Sequence, residues 1–136
     1  MSNTNTNTSV KIVKVDPDRN LVFGWAYVAV EKNGQRVVDA SDEVIEPEEL
    51  EDAAYLFNLL FRGSGVMHKG EVVGALVESL AITKEKLEHL GLPPDALPQG
   101  WWVGFYVECD EVFDGVKKGI FPMFSIQGKA IREVVA

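Results

Sequence analysis

Apolar and polar residues follow two different periods along the chain, which separate its strands from its helices. Runs that alternate in polarity, or that are rich in β-branched and aromatic residues, predict strands. The clearest are Leu21–Val30, where Gly24 indicates a bulge or a close backbone contact, and Trp101–Cys109. The other predicted strands are Val10–Val15, Arg36–Ala40, two segments within Val66–Ile82 separated by a turn near Lys69 and Gly70, and Ile120–Gly128, which Lys129–Val135 continues or follows.

Three segments follow the helical period of about 3.6 residues instead. In the longest, Pro47 and the acidic residues around it are typical of a helix N-terminus, and the helix is expected to end near Phe61. Two shorter helices are predicted, one from the N-cap Thr83 to Leu90 and one from Asp110 to Lys118. The apolar stripe of the long helix consists of Leu50, Ala53, Ala54, Phe57 and Leu60 or Phe61.

Short turns between strands determine the expected fold. Asp16–Asn20 and the Asn33–Gly34 pair are typical of turns that join antiparallel neighbours. The sequence therefore predicts an α+β domain, a mainly antiparallel β-barrel of about six or seven strands wrapped by about three helices. Residues 1–9 are polar and of low complexity, so we expect a disordered tail followed by a single domain over residues 10–136.

Composition narrows the classes of function. Of the 136 residues, 46% are apolar and 25% charged, as in ordinary soluble globular domains. The net charge of −8 argues against binding to a nucleic-acid backbone, which needs clustered Lys and Arg. The sequence predicts neither a membrane span nor a signal peptide. The single cysteine, Cys109, cannot form an internal disulfide, which fits a reducing cytoplasm.

Ser125 and His68 are the main candidates for chemistry. Ser125 interrupts an apolar strand, in which its side chain points away from the face shared by Phe124 and Ile126. Such a hydroxyl either bonds to the backbone inside the core or acts as a nucleophile, and a nucleophilic serine needs a base. His68 is the candidate base, with a surface-loop histidine as the alternative. His89, near a helix end, is expected to be solvated.

The remaining reactive and aromatic residues suggest no second site. The carboxylates that flank Cys109 are expected to raise the pKa of its thiol, which argues against a nucleophile. Trp101 and Trp102 either stack on a ligand or occupy one core and one edge position, and the second account is the expected one. Histidine and cysteine lack ligand spacing and no phosphate-binding loop is present, so neither a metal nor another cofactor is predicted. The acidic residues of Asp42–Asp52 are expected to form a solvated helix start rather than a calcium site.

Several stretches, taken together in their order and spacing, resemble the phage prohead (capsid maturation) serine proteases, in particular those of defective-prophage type elements. The resemblance covers about residues 20 to 132. The matching residues are Val22–Ala26, Val37–Asp39, Asp42–Ile45, Pro47–Leu50, Met67–His68, Leu76–Ser79, Thr83–Lys86, Gly100–Phe105, Phe124–Ile126 and Gly128–Ala130.

The resemblance implies a fold similar to herpesvirus assemblin, with Ser125 as the nucleophile and His68 as the general base. It implies cleavage of the phage scaffold and major capsid proteins inside assembling proheads in the host cytoplasm, without a cofactor, nucleic acid or membrane. A homo-oligomer is left open. Backbone N–H groups around Gln127 and Gly128 are expected to form part of an oxyanion hole, at a position where relatives usually have two glycines.

The third member of the catalytic triad lies well downstream of the serine in such relatives, and here only Glu133, close to Ser125 in sequence, is found. Glu78 is therefore the predicted orienting carboxylate, with Asp42 as second choice. A catalytic dyad, a domain truncated from a longer protein and a fold that has lost activity are the alternatives. Two other functions stay open, namely a capsid-assembly or scaffold-associated module without catalysis and a small-ligand-binding barrel.

Overall fold

The computed structural model describes residues 8–38, 42, 44–61, 66–68, 71–72, 74–120 and 123–126. Within these residues the chain forms strands and helices in the proportions that its apolar pattern predicts. The strands are β1 (Thr8–Asp16), β2 (Leu21–Val30), β3 (Val66–His68), β4 (Glu71–Val72), β5 (Gly74–Ala81), β6 (Gln99–Val107) and β7 (Met123–Ile126). The helices are α1 (Pro47–Phe61), α2 (Lys84–His89) and α3 (Asp110–Lys117).

The seven described strands form one sheet in the order β4-β3-β7-β1-β2-β6-β5. Every described pair of neighbouring strands is antiparallel. The tight turn at residues 17–20 makes β1 and β2 neighbours, and the Asp16 carboxylate accepts hydrogen bonds from the backbone N–H groups of Asp18 and Arg19 there. The predicted α+β class and antiparallel sheet are therefore confirmed.

The prediction of a closed barrel is wrong, because the sheet is open. Closure needs a ladder between the first and last strands, and the described pairing contains none between β4 and β5. Physically, β4 has only two residues, which are paired with β3. Since β4 and β5 are separated along the chain by residue 73 alone, the sheet curves strongly enough to bring its two outer strands together.

Two predicted boundaries also differ from the structure. Strand β1 begins at Thr8, so Thr8 and Ser9 belong to the sheet rather than to the predicted tail of residues 1–9; residues 1–7 lie outside the described residues. Of the predicted return strand Arg36–Ala40 the structure describes residues 36–38, and these contribute only one bridge, between Val30 and Arg36. Arg36 forms an ion pair with Glu46 instead, and Val38 is exposed, so this segment buries too little apolar surface to hold a ladder.

The core lies where α1 and α3 pack on one face of the sheet. The predicted stripe of α1 is confirmed for Leu50, Ala53, Ala54 and Phe57, which are all fully buried. The Phe57 ring meets the Trp101 ring edge to face, with centroids 5.2 Å apart. Alternate residues of β6 point into the same cluster, and α3 adds its own apolar side; these residues are Trp101, Val103, Phe105, Val107, Val112, Phe113 and Val116.

A polar contact joins α1 to α2 at the edge of the core. The Lys86 ammonium lies 2.7 Å from a carboxylate oxygen of Glu51, donates a hydrogen bond to the Ala81 carbonyl at 2.6 Å, and sits 5.0 Å from the centroid of the Tyr55 ring. Partial burial lowers the pKa of Lys86, but hydrogen bonds to Glu51 and Tyr55 outweigh it, so the pKa is raised above its ordinary value.

Close backbone approach inside the sheet depends on Gly24. A Cβ at this position would lie 1.9 Å from the carbonyl oxygen of Lys11 on the neighbouring strand. Because the opposing atom belongs to the backbone, it cannot rotate away as a side chain can. The predicted close backbone contact at Gly24 is therefore confirmed, and β1 carries a bulge opposite it, between Ile12 and Lys14.

Replacing Gly24 with alanine is expected to destabilise the fold by about 2 kcal/mol or more, because strands β1 and β2 must move apart. The measurement is the urea midpoint of unfolding, followed by circular dichroism. Gly34→Ala is the comparison: no atom lies within 4 Å of the added Cβ, and only the positive φ of 86° resists it. That variant is expected to lose about 1 kcal/mol. Equal losses in the two variants would contradict the steric account.

Lys86→Met is expected to destabilise the protein by about 1 kcal/mol near neutral pH, because Glu51 loses its ion pair and keeps only the hydrogen bond from the Tyr55 hydroxyl. Because the pKa of Lys86 is higher in the folded than in the unfolded state, its charged form adds to the free energy of unfolding. This contribution is complete below the pKa of the unfolded state and is lost as the pH rises through the pKa of the folded state. The stability gap between wild type and Lys86→Met should thus stay constant up to about pH 10 and shrink above it. Lys84→Met, which removes a neighbouring exposed lysine, should show no such gap.

Candidate active site

The strands that carry the two predicted catalytic residues are neighbours in the sheet. β7, which contains Ser125, lies between β1 and β3, and β3 ends at His68. Ser125 is opposite Ser9 in one ladder and opposite Met67 in the other, and His68 follows Met67 directly. The antiparallel pairing thus makes the strand that contains Ser125 the direct neighbour of the strand that ends at His68.

The ladder between β3 and β7 covers Val66 and Met67. At His68 the described pairing of β3 is with β4, where His68 is opposite Glu71. Successive residues of a regular strand project from opposite faces of the sheet, and directly opposite residues share a face. Ser125 is opposite Met67, so in a regular ladder the side chains of Ser125 and His68 would lie on opposite faces. Direct contact between the two side chains therefore requires the regular ladder to end at Met67, which is where its described pairing ends.

Two neighbours of the candidate pair were missed by the sequence analysis. Ser9 was assigned to the tail, although it is the partner of Ser125 on β1. Glu71 was not considered, although it is opposite His68. The signal for Glu71 was available in the turn that the sequence predicts near Lys69 and Gly70, because a two-residue turn places the residues on either side of it directly opposite each other.

Several predicted site residues lie outside the described part of the chain or away from its ladders. Gln127, Gly128 and Glu133 are outside the described residues. Asp42 is exposed and has a φ of 60°, in the left-handed region that Asp tolerates better than most residues.

Glu78, the predicted orienting carboxylate, lies on β5 opposite Gly104 of β6. Its side chain is exposed, and one carboxylate oxygen accepts a hydrogen bond from Trp102 Nε1 at 3.1 Å. This bond fixes one oxygen and leaves the second available to another donor. Its described role is therefore to hold Trp102, and the orienting role stays a prediction.

The prediction for the tandem tryptophans is confirmed: one is in the core and the other at the surface. Trp101 is fully buried, and its Nε1–H donates to Ser79 Oγ at 2.8 Å. Trp102 points to the opposite face and is half-buried. There it stacks on Phe23 at 6.3 Å and meets the edge of Trp25 at 5.3 Å.

The other candidates have structural roles. Cys109 occupies the N-cap position of α3 and packs, half-buried, against the core cluster. His89 is exposed in the last turn of α2, where its Nδ1 lies 2.8 Å from the Glu85 carbonyl oxygen, as expected for a solvated helix-end histidine. No group of three or more His, Cys, Asp or Glu residues in the described segments could hold a metal ion.

An open cleft of about 670 Å³ lies where β2 ends against the N-termini of α1 and α2. It is lined by side chains of both charges, including Arg36, Glu46 and Lys84. The described lining residues come from β2, β6, α1, α2 and the loops beside them. Among the helices that the structure describes, none is long and apolar enough to cross a membrane.

Comparison with known families places the chain in the class of phage serine proteases. A family model described as "Putative phage serine protease XkdF" matches residues 9–133, which include every described element apart from Thr8. The chain therefore belongs to this family, and the serine protease resemblance of its sequence is confirmed. Comparisons with curated proteins and with solved structures found no match.

Proposed function

We propose that the protein is a serine endopeptidase that cleaves phage scaffold and capsid proteins during head maturation, with Ser125 as the nucleophile and His68 as the general base. Membership of a phage serine protease family supports the reaction class. The observation that carries the residue assignment is the antiparallel pairing of β7 with β3, which makes the strands of the two residues adjacent. Adjacency matters because a serine is activated only by a base within hydrogen-bond reach, and chain order does not supply that.

The proposed reaction proceeds through an acyl-enzyme. His68 Nε2 accepts the proton of the Ser125 hydroxyl as Oγ attacks the carbonyl carbon of the scissile peptide. The resulting oxyanion is held by backbone N–H groups, for which those near Gln127 and Gly128 are proposed. The imidazolium then gives its proton to the leaving amine, the C–N bond breaks, and an ester on Ser125 remains. Water, deprotonated by His68, hydrolyses the ester and restores the hydroxyl.

Ser125→Ala and His68→Gln are each expected to abolish processing of the capsid and scaffold proteins when the chain is co-expressed with them. In serine proteases the loss of the nucleophile or of its base lowers the rate on the order of 10⁴ to 10⁶-fold. Processing is therefore expected to stop in both variants although they fold normally. Processing is read on denaturing gels and by mass spectrometry of the new N-termini. Ser9→Ala removes a hydroxyl at the neighbouring register position and should leave processing intact.

Labelling with a fluorophosphonate tests the nucleophile without any assumption about the substrate. Wild type and Ser9→Ala should be modified at Ser125, whereas Ser125→Ala and His68→Gln should not. A crystal structure should then show Ser125 Oγ within about 2.6–3.2 Å of His68 Nε2. Equal processing by wild type and Ser125→Ala, or a separation beyond about 7 Å with no mobile loop between the residues, would sink the catalytic proposal.

Glu78→Gln tests the proposed orienting role apart from the described contact with Trp102. Glutamine can still accept the hydrogen bond from Trp102 Nε1 but carries no charge to stabilise an imidazolium. The indole N–H resonance of Trp102 should therefore stay in place while processing slows by about 100-fold or more. Glu71→Gln is the matched comparison at the position opposite His68. Slow processing in Glu71→Gln together with normal processing in Glu78→Gln would transfer the orienting role to Glu71.

A module that binds capsid or scaffold protein without cleaving it is the second candidate function. The observation that favours it is the pair of half-buried rings of Trp25 and Trp102, which lie on the face of the sheet opposite α1 and α3. The two functions separate cleanly in the co-expression experiment, because a binding module would assemble with its partners in the Ser125→Ala form as well as in the wild type and leave both partners uncut.

A further inference from the structure

The face of the sheet opposite the core carries a cross-strand aromatic platform, which we define as Phe23, Trp25, Leu80 and Trp102. The ladders place these residues in two rows. One row runs Lys11–Trp25–Trp102–Leu80 across β1, β2, β6 and β5, and the next runs Lys14–Phe23–Gly104–Glu78 across the same strands. Directly opposite residues share a face, so the two lysines border the platform on β1.

A bulge in β1 is what puts both lysines on this border. Lys11 and Lys14 are three residues apart, a spacing that alternates faces in a regular strand. The bulge between Ile12 and Lys14 adds one residue, so that Lys11 is opposite Trp25 and Lys14 is opposite Phe23. The Lys14 ammonium lies 5.1 Å from the centroid of the Phe23 ring. A matching bulge between Leu76 and Glu78 sets Glu78 on the far border.

Gly104 lets the platform close into one surface. A Cβ at this position would lie 2.8 Å from two atoms of the Phe23 ring and 3.0 Å from Glu78 Cβ. The glycine therefore leaves room for Phe23 to lie across the strand and stack on Trp102. Trp25 meets Trp102 edge-on, so the three rings support one another without contact from α1 or α3, whose buried residues belong to the other face.

The described helices leave this face uncovered. The buried residues of α1 and α3 belong to the cluster on the opposite face, with Trp101, Val103 and Phe105. Leu80 is 41% exposed, and Tyr106, next to the platform on β6, is 42% exposed. Phe23 is buried, with 8% of its surface exposed, so the accessible part of the platform consists of the half-buried Trp25 and Trp102 together with Leu80. Half-buried aromatic rings are common at protein interfaces.

Charge indicates what this surface binds. Most basic side chains of the described residues are paired with carboxylates, as Arg19 is with Asp16 and Lys86 with Glu51. Lys11 and Lys14 have no carboxylate partner within the described chain, although the protein as a whole carries a net charge of −8. Two unpaired ammonium groups beside an apolar surface complement a ligand that carries acidic groups next to apolar ones.

We infer that the aromatic platform is a docking surface for an acidic peptide segment of a partner protein, one in which carboxylates alternate with aromatic or long aliphatic side chains. The apolar side chains pack on Trp25, Trp102 and Leu80, and the carboxylates pair with Lys11 and Lys14. The inference goes beyond the proposed function, because the platform is formed by β1, β2, β5 and β6 and binds irrespective of whether Ser125 is a nucleophile.

A nucleic acid is the less favoured ligand for this surface. Single strands bind by stacking bases on free aromatic faces within a strongly basic groove. Here Phe23 and Trp102 are already stacked on each other, Lys14 covers Phe23, and Glu78 stands at the far border. What the rings offer is an apolar surface bordered by two positive charges, which fits a peptide better than a phosphate backbone.

Fluorescence anisotropy with a labelled peptide of sequence DELFDELFD tests the inference, using the full chain with Ser125→Ala so that nothing is cleaved. The peptide DESGDESGD keeps the acidic residues without the apolar ones, and KKLFKKLFK keeps the apolar residues with the opposite charge. Each should bind at least about tenfold more weakly than DELFDELFD, because both components of the surface contribute. Binding of DELFDELFD should also weaken as salt is added, since exposed charges are screened.

The double variant Lys11→Glu/Lys14→Glu should weaken binding of DELFDELFD at least about tenfold. Lys32→Glu/Lys84→Glu is the matched control: it changes the net charge equally at two other exposed lysines that form no ion pair with a described carboxylate, and should alter affinity less than about threefold. Leu80→Ser, also at an exposed position, should weaken binding without changing charge. Thermal melting verifies that all these variants fold.

Three results would overturn the inference. An equal loss of affinity for DELFDELFD in Lys11→Glu/Lys14→Glu and in Lys32→Glu/Lys84→Glu would show that the peptide is held by non-specific charge attraction and not by the platform. Tighter binding of single-stranded oligothymidine than of DELFDELFD would assign the platform to nucleic acid. A dimer in sedimentation velocity that disappears in Lys11→Glu/Lys14→Glu would assign it to a second copy of the chain. Since the assay contains no functional nucleophile, its failure leaves the catalytic proposal untouched, and the failure of that proposal leaves this one in place.

Discussion

The close approach of neighbouring backbones at three glycines is the constraint on which the sheet depends. A Cβ added at Gly24 would lie 1.9 Å from a carbonyl oxygen of the neighbouring strand, and the same distance would be 2.1 Å at Gly74 and 2.4 Å at Gly100. These glycines lie in β2, β5 and β6, so the constraint acts across the centre and one border of the sheet. Strands without side chains at such points can coil tightly, so the sheet can curve strongly. That curvature allows β4 and β5, which are consecutive in the chain, to occupy opposite edges of the sheet.

The two faces of the sheet have different surroundings. One face buries Trp101, Val103 and Phe105 beneath α1 and α3, and the other presents Trp102 with Phe23 and Trp25. The bulges in β1 and β5 adjust which residues reach the outer face without disturbing the inner one. Core packing and the proposed docking surface are thereby divided between alternate residues of the same strands.

Local patterns were sufficient to predict what depends on local physics. The stripe of α1, the N-cap Thr83 and the division of Trp101 and Trp102 between core and surface follow from helical and strand periods, and the structure confirms them. The close contact at Gly24 was also predictable, because a glycine within an otherwise bulky strand needs a steric reason.

The failures came from long-range pairing. Whether the sheet closes depends on whether its two outer strands share a ladder, and nothing in the sequence of β4 indicates that its two residues pair with β3 and not with β5 as well. Thr8 and Ser9 are polar, yet the ladder with β7 recruits them into β1. For the candidate site, the sequence supplied residue types, a family resemblance and a predicted turn that points to Glu71, but the neighbourhood of β3 and β7, and with it Ser9, required the register.

The position of β7 has a consequence for the order in which the protein is assembled. It follows the other described strands in the chain but is inserted between β1 and β3, in ladders that join residue 9 to residue 125. Contacts so distant in sequence are slow to form, because the long loop between them must close first. Until β7 enters, β1 and β3 have no neighbour on that side, and the proposed nucleophile is absent from the sheet. Under the proposed function, a chain synthesised only as far as β6 therefore lacks its nucleophile and has no activity against the proteins around it.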